Sequence, residues 1–531
     1  MYNLFGKEIS GPFTIPSGIV ATETSVLEKI ANEIPEVGIL TTKSIGPDPR
    51  EGNREPIIAR YAPLSFINSV GLTNPGAEEF AGRLSKIKIP DDKFLLVSIF
   101  GSNEHEFKQV AERLQDYADG FELNISCPHS DKYGQAVGQD IALVERIVRS
   151  VSSLGKTTFV KVSPNLDVVE TVKHAIAGGA SGITAINTRG PEPFLHDNQS
   201  ILSNKVGGVS GRAVLELGLS CVKKIRDTTE LPIIGCGGIS TTEDIKRYKS
   251  AGADYFGIGS ALAGMNTGEI KEYFSTLLKD VENGTNNAKK FLKETLSTSY
   301  QKFNVKENKK LADDLFLLRL DGNIKIEPGQ FVFAWLPGKG EKPFSVLDDE
   351  PLTMLIQKRG CFTNELSTLG PGDVLYIRGP YGDSPQIEGK TLLVGGGTGI
   401  AALYLFAKKM KATAVLGAKD KSHLSYVEEF KSACEDVLLT TENGEVGHKG
   451  FVTDVLEEAI ESFSPDYCIN CGPEPMVKAV IPIESRRTGP ERIYSSMEFL
   501  TKCGIGLCGS CATSKGHRSC VDGTYLKPSQ I

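Results

Sequence analysis

Eight short apolar or β-branched runs, each followed by a segment of helical length and periodicity, fill roughly the first 280 residues: Phe13–Ser17, Val37–Thr42, Phe94–Ile99, Phe121–Ile125, Thr158–Val162, Gly182–Ile186, Pro232–Gly235 and Tyr255–Gly259. Such alternation points to a parallel sheet, because a parallel neighbour is reached only through a crossover, and the crossover helices cover the strands. A doubly wound open sheet shares the pattern, but eight units in this length predict a closed (β/α)8 TIM barrel.

The chain has 531 residues, more than one core organises, and its pattern changes beyond residue 281. Residues 282–297, which include Glu282-Asn283-Gly284-Thr285-Asn286-Asn287, are polar and poor in core residues, which predicts a linker. Over 298–388, strand-like runs at Leu315–Leu320, Phe331–Leu336, Thr353–Gln357 and Val374–Arg378 are divided by Pro-Gly and Gly-Pro turns, as in a small antiparallel β-barrel. Strand–helix alternation returns over 389–490, and 491–531 is rich in Cys and Gly. The fold class is α/β, a TIM barrel followed by three smaller modules.

In a TIM barrel the reacting groups gather where strands end. Here those points carry Lys43, Asn124 with Cys127, Lys161, Asn187-Thr188, Gly237-Gly238 and Gly259-Ser260. Glycines at the last two strand ends, with Gly207-Gly208-Val209-Ser210-Gly211 before them, can turn backbone N–H groups towards a phosphate, which suits a phosphorylated flavin. Lys161, inside Phe159-Val160-Lys161-Val162, is costly to bury without an anionic partner, and a reduced flavin is one such partner.

Thr41-Thr42-Lys43-Ser44, the run from Asn68 through Gly71-Leu72 to Gly76, Asn124-Ile125-Ser126-Cys127-Pro128 and Ile186-Asn187-Thr188 resemble dihydroorotate dehydrogenase over most of the first 265 residues. The resemblance implies oxidation of dihydroorotate to orotate, in de novo pyrimidine biosynthesis, on FMN at the barrel mouth. It implies substrate contacts from Lys43, Asn68, Gly71, Leu72, Asn124, Asn187 and Thr188, with Cys127 as the base. It also implies FMN contacts from Ser17, Lys43, Ser44, Ser98, Asn124, Lys161 and Ile186, besides Gly211, Gly237, Gly238, Gly259 and Ser260. A thiol whose ordinary pKa is about 8.5 suits the base, since cations or dipoles bring its thiolate within reach of neutral pH. His129 follows Cys127-Pro128 where many relatives have Asn, which keeps dihydrouracil or dihydrothymine oxidoreduction open as an alternative.

Near the C-terminus, Cys503-x4-Cys508-x2-Cys511-x8-Cys520 matches the plant-type spacing for a [2Fe–2S] cluster, and Gly504, Gly506 and Gly509 favour it over structural zinc. The other cysteines Cys221, Cys236, Cys361, Cys434, Cys468 and Cys471 lack ligand spacing and are expected as packing thiols. Lys342-Pro343-Phe344-Ser345, Gln357, Thr363 and Gly379-Pro380-Tyr381-Gly382 resemble the flavin domain of the ferredoxin reductase superfamily, which implies FAD; Lys342 stands where Arg is usual. Gly396, Gly397, Thr398 and Gly399, together with Cys471-Gly472-Pro473, resemble that superfamily's NAD side. Residues 298–531 thus resemble the electron-transfer subunit that accompanies class 1B dehydrogenases, with NAD as acceptor.

A net charge of −7 without a basic block gives little to hold nucleic acid or an anionic membrane. The N-terminus lacks a basic start and apolar run, so a cytoplasmic protein is expected. The resemblance further implies a homodimer through the barrel. An electron-transfer protein serving a non-NAD acceptor is the reading from a different class, and Lys419-Asp420-Lys421-Ser422 leaves NAD against NADP open.

Overall fold

The computed structural model of the protein describes residues 2–126 and 135–531, and these fall into two compact units. The first runs to Leu296 and includes Ile505–Ala512. At its centre eight parallel strands close into a barrel: β1 (Phe13–Ile15), β2 (Val37–Thr41), β3 (Phe94–Ile99), β4 (Gly120–Asn124), β5 (Thr157–Val162), β6 (Gly182–Ala185), β7 (Ile233–Cys236) and β8 (Tyr255–Gly257). Their order around the ring is their order in the chain, and β8 closes on β1 through Phe256 opposite Phe13. Strands covered on both faces read as unbroken apolar runs, and all six residues of β3 are buried.

Helices wrap the barrel through apolar stripes at helical spacing. Ile141–Ser152 buries Val144, Ile147, Val148 and Val151, each contributing about 1.5–3 kcal/mol, and its first turn is capped by Asp140 accepting from the N–H of Leu143 at 2.9 Å.

Two insertions build a second, four-stranded antiparallel sheet in the order Arg189–Pro193, Val206–Gly211, Ser65–Asn68, Ile58–Ala62. The run Gly207-Gly208-Val209-Ser210-Gly211, expected to turn N–H groups towards a phosphate, forms most of the strand Val206–Gly211. It is an inner strand, with Gly208 opposite Asn68 and Val209 opposite Arg189, so its backbone faces strands on both sides. The stretch expected as a linker is packed on this unit up to Leu296: the Asp280 carboxylate accepts from Ala288 N at 2.7 Å, and Ala288 and Phe291 are buried.

The second unit, Ser297–Gly504 with Thr513–Ile531, holds two sheets. The expected antiparallel β-barrel is a seven-stranded antiparallel sheet of β9 (Gln301–Lys310), β10 (Leu315–Leu320), β11 (Phe331–Leu336), β12 (Gly340–Ser345), β13 (Asp348–Asp349), β14 (Leu352–Gln357) and β15 (Val374–Tyr381), packed on one apolar core. The other is parallel and six-stranded: β16 (Thr391–Gly396), β17 (Ala412–Ala418), β18 (Asp436–Thr441), β19 (His448–Lys449), β20 (Tyr467–Cys471) and β21 (Ile493–Ser496), in the order β19-β18-β17-β16-β20-β21.

Arg378 on β15 is buried with 2% of its surface exposed. Its Nε and Nη2 donate to the Glu341 carboxylate at 2.6 and 2.7 Å, and its Nη1 donates to the carbonyl of Cys503 at 2.9 Å. Tyr300 Oη donates to the same carboxylate at 2.7 Å. Arg378→Met leaves Glu341 as a buried, unpaired carboxylate, and is expected to lower the stability of this unit by about 3–5 kcal/mol. Calorimetry checks this; an unshifted transition rules the pair out as a stability determinant.

Candidate active site

Polar side chains converge at the C-terminal ends of the barrel strands. Ser17 and Ser44 follow β1 and β2, Ser98 lies in β3, Asn124 ends β4 and Lys161 lies in β5. Ser17 Oγ and Ser44 Oγ are 3.0 Å apart, Ser44 Oγ and Ser98 Oγ 2.9 Å, and Ser98 Oγ donates to Glu122 Oε1 at 3.0 Å. Asn124 Nδ2 donates to Ser44 Oγ at 2.9 Å. Asn187 Nδ2 donates to Ser126 Oγ at 2.8 Å, and Ser126 Oγ to Asn124 Oδ1 at 3.3 Å. Strand alternation brings these groups together: Glu122 and Asn124 are two positions apart on β4 and share a face, and Asn124 stands opposite Lys161 in the register of β4 and β5.

Lys161 has a partner within the protein. Its Nζ lies 3.6 Å from Glu122, and the two residues are 5% and 1% exposed. The anion that burial of Lys161 calls for is thus supplied by Glu122; a reduced flavin, the partner named from sequence, would be a second. Glu122 is also the residue that sequence reasoning missed. The signal was present, since an acid between Phe121 and Leu123 in an apolar strand invites the same question as Lys161. Below the pair, the Cys236 thiol donates to the Ile186 carbonyl at 3.1 Å, and burial pushes it up to about 11.

The remaining predicted barrel residues sit around this network. Asn68 Nδ2 donates to the Gly208 carbonyl at 3.3 Å, and Asn187 Oδ1 accepts from Thr188 N at 2.8 Å. Gly71 and Leu72 turn the chain with φ of +85° and +55°. Lys43 is half-buried just beyond β2. Gly237 and Gly238 follow β7 with φ of +127° and +81°, a conformation that favours glycine. Gly211 ends its strand, while Gly259 and Ser260 lie beyond β8, where Ser260 Oγ donates to Ser210 Oγ at 3.0 Å. Cys127 and His129 lie outside the described residues.

Residues 505–512 belong to this unit and rest on loops that follow β1 and β8. Val20 N donates to the Leu507 carbonyl at 2.7 Å, Thr22 Oγ1 to the Cys508 carbonyl at 2.9 Å, and Gly264 N to the Ile505 carbonyl at 2.9 Å.

In the second unit, two motifs far apart in sequence meet at the point where strand order reverses, the position at which open α/β sheets bind ligands. Gly395 on β16 stands opposite Cys471 on β20. A Cβ on Gly399 would lie 2.3 Å from the Cys471 carbonyl oxygen, so the backbone there leaves no room for a side chain, while one on Gly396 would displace Met476, whose Sδ would be 2.3 Å away. Gly397 and Thr398 open the 3-10 turn after β16, and Gly472 and Pro473 follow β20. Asp420 is occupied locally: its carboxylate accepts from the N–H of Ser422 at 2.9 Å and pairs with His423 Nδ1 at 2.7 Å, which holds it down at about 2.

Lys342, Pro343, Phe344 and Ser345 lie on the edge strand β12, with Phe344 stacked on Phe362 at 6.4 Å between ring centroids. Thr363 Oγ1 accepts from the N–H of Arg359 at 2.9 Å, and Gln357 Nε2 donates to Asp314 at 2.8 Å. Cys503, Cys508, Cys511 and Cys520 are all buried. Cys361 is exposed, which corrects its assignment as a packing thiol; it opens a helix at the surface, whereas Cys221, Cys236 and Cys468 are buried as expected.

A family model described as dihydroorotate dehydrogenase matches residues 1–278. The chain belongs to the dihydroorotate dehydrogenase family. Among its curated relatives, a "Dihydroorotate dehydrogenase B (NAD(+)), catalytic subunit" of Pyrococcus abyssi is 38% identical over 284 residues, 52% of this chain and 93% of that one. Its counterpart in Methanocaldococcus jannaschii is 36% identical over 266 residues, 49% of this chain and 86% of that one. A "Probable dihydroorotate dehydrogenase B (NAD(+)), electron transfer subunit" of Thermococcus kodakarensis is 43% identical over 239 residues, 44% of this chain and 98% of that one. This family member therefore joins, in one polypeptide, counterparts of a catalytic and an electron-transfer subunit.

Proposed function

We propose that the chain oxidises dihydroorotate to orotate at the barrel mouth and delivers the electrons through its second unit to NAD. The observation that carries this is the continuous network from Ser17 through Ser44 and Asn124 to Asn187, beside a buried lysine, in a barrel of this family. FMN suits that mouth. Thr184 stands opposite Lys161 with a buried hydroxyl that lacks a hydrogen-bond partner, and the Gly237-Gly238 turn has the positive φ values of a backbone cradle. When bound, the flavin supplies the two-electron acceptor for the dehydrogenation.

The chain's own groups do the rest. Lys43, Asn68, Asn124, Asn187 and Thr188 hold and orient the substrate, with Gly71 and Leu72 shaping the loop against it. Cys127, as thiolate, takes the proton from the ring carbon beside the carbonyl while the neighbouring carbon gives up its bond pair. In the second unit, Lys342, Pro343, Phe344, Ser345, Gln357 and Thr363 are the residues that would hold FAD. Gly396, Gly397, Thr398 and Gly399, with Cys471, Gly472 and Pro473, would hold NAD.

Cys503, Cys508, Cys511 and Cys520 suit a [2Fe–2S] cluster by donor chemistry: all four thiols are buried, and Gly504, Gly506 and Gly509, in the stretch that holds the first three, have φ of +79°, +74° and +67°. Among the described residues no group of three or more acidic, His or Cys side chains is arranged for a single metal ion. A [2Fe–2S] cluster asks a different arrangement, since its four thiolates are shared between two irons. Anaerobically purified protein is expected to yield FMN, FAD and iron, and to reduce NAD with dihydroorotate in preference to dihydrouracil. Zinc in place of iron refutes the cluster, and preference for dihydrouracil refutes the substrate.

A further inference from the structure

The carboxylate of Glu122 fixes the direction of every hydroxyl in the chain that leads to it. A carboxylate only accepts, so Ser98 spends its one proton on Glu122 at 3.0 Å. Ser44, 2.9 Å from Ser98, must then donate to it, and Ser17, 3.0 Å from Ser44, must donate in turn. The arrangement is consistent at its branch, where Asn124 Nδ2 also donates into Ser44. Three O–H bonds thus point one way, from the mouth into the barrel, and end on a carboxylate that is 1% exposed.

The ionisable groups that face Glu122 leave it as the place where a proton can be added. Lys161, on β5, already presents an ammonium at 3.6 Å. Cys236, on β7, is held as a thiol by burial, which pushes it up to about 11. A net negative charge arriving at the mouth would meet the neutral Glu122–Lys161 pair. In a buried site such a charge is compensated most cheaply by a proton that cancels the carboxylate and leaves the ammonium to balance the newcomer.

We propose that Glu122 is a redox-linked proton acceptor, fed by the aligned hydroxyls of Ser17, Ser44 and Ser98, which takes up one proton when the flavin bound at the mouth is reduced. The step balances: the Ser98 O–H bond breaks as Glu122 gains its proton, Ser44 reprotonates Ser98, Ser17 reprotonates Ser44, and a solvent proton restores Ser17. The electrons come from the substrate, and no other reactant is needed. Glu122 thereby acts as a positioning group for charge, without touching the substrate.

This rests on the reading of the mouth as a flavin site. The test uses the purified full chain with its flavins, and counts protons taken up per flavin reduced from the pH dependence of the barrel flavin's midpoint potential. Glu122→Gln keeps an acceptor for Ser98 but cannot bind a proton, and is expected to take up one proton fewer than wild type. In the wild-type chain, reduced-minus-oxidised infrared difference spectra are expected to gain the carbonyl band of a protonated carboxylic acid, which requires no variant to fold. Equal proton counts with flavin bound, or no such band on reduction, overturns the proposal. A purified chain without flavin overturns instead the functional reading beneath it.

Discussion

Replacing Cys508 with Ser is expected to abolish NAD reduction by dihydroorotate while leaving reduction of the barrel flavin largely intact. A hydroxyl is a far weaker iron ligand than a thiolate at neutral pH, so on the proposed reading the variant loses or cripples the cluster, and with it the proposed one-electron relay between the flavins. The local backbone has no reason to change, because the Cys508 contact with Thr22 is made by its carbonyl. Rapid-mixing absorption separates the two half-reactions, and electron paramagnetic resonance of the reduced protein reports the cluster itself. If both half-reactions fall together in a folded variant, or both survive, the proposed order of carriers is wrong.

Cys127→Ala is expected to bind substrate and FMN yet slow flavin reduction by at least the roughly 10²-fold that follows loss of a general base. Substrate affinity should change little, since the proposed recognition rests with Lys43 and the asparagines. Cys127→Ser is the sharper comparison. A serine hydroxyl ionises far less readily than a thiol, so its residual rate climbs with pH over a range where the wild-type rate has already levelled. Anaerobic single-turnover reduction isolates this step from the downstream carriers. Near-wild-type reduction by the alanine variant would move the base to another residue, with His129 the first to test.

The barrel was legible because its signal is a repeat. Strands buried on both faces are mostly apolar, and β3, Phe-Leu-Leu-Val-Ser-Ile, reads that way from sequence. Sequence alone singled out Lys161 because a charge is out of place in its strand, and the structure buries it beside Glu122; the four C-terminal cysteines stood out by their spacing, and all four are buried. What stayed hidden depends on pairing between distant segments. Nothing near Gly207 to Gly211 announces that Ser65–Asn68 will lie beside it, so the glycine-rich run was not read as an inner strand. Glu122 was overlooked although it sits between Phe121 and Leu123 on a strand whose five residues are all buried. The polar stretch after residue 281 misled in the opposite direction, because the Asp280 carboxylate organises it through hydrogen bonds while only Ala288 and Phe291 in it pack inwards.

The loop carrying Cys508 and Cys511 is synthesised about two hundred residues after the rest of the unit it completes. The barrel therefore emerges from the ribosome while its Val20 and Gly264 amides still await the carbonyls of Leu507 and Ile505. Closing so long a stretch is entropically modest, since the cost grows only with the logarithm of its length, but it comes late and after much else has folded. Biogenesis thus has an order written into the topology: the barrel is free to fold early, and the ends of the β1 and β8 loops settle only once the far segment returns. A protein cut after Leu296 should therefore keep its barrel but expose those amides to hydrogen exchange, a kinetic signature that the intact chain loses on completion.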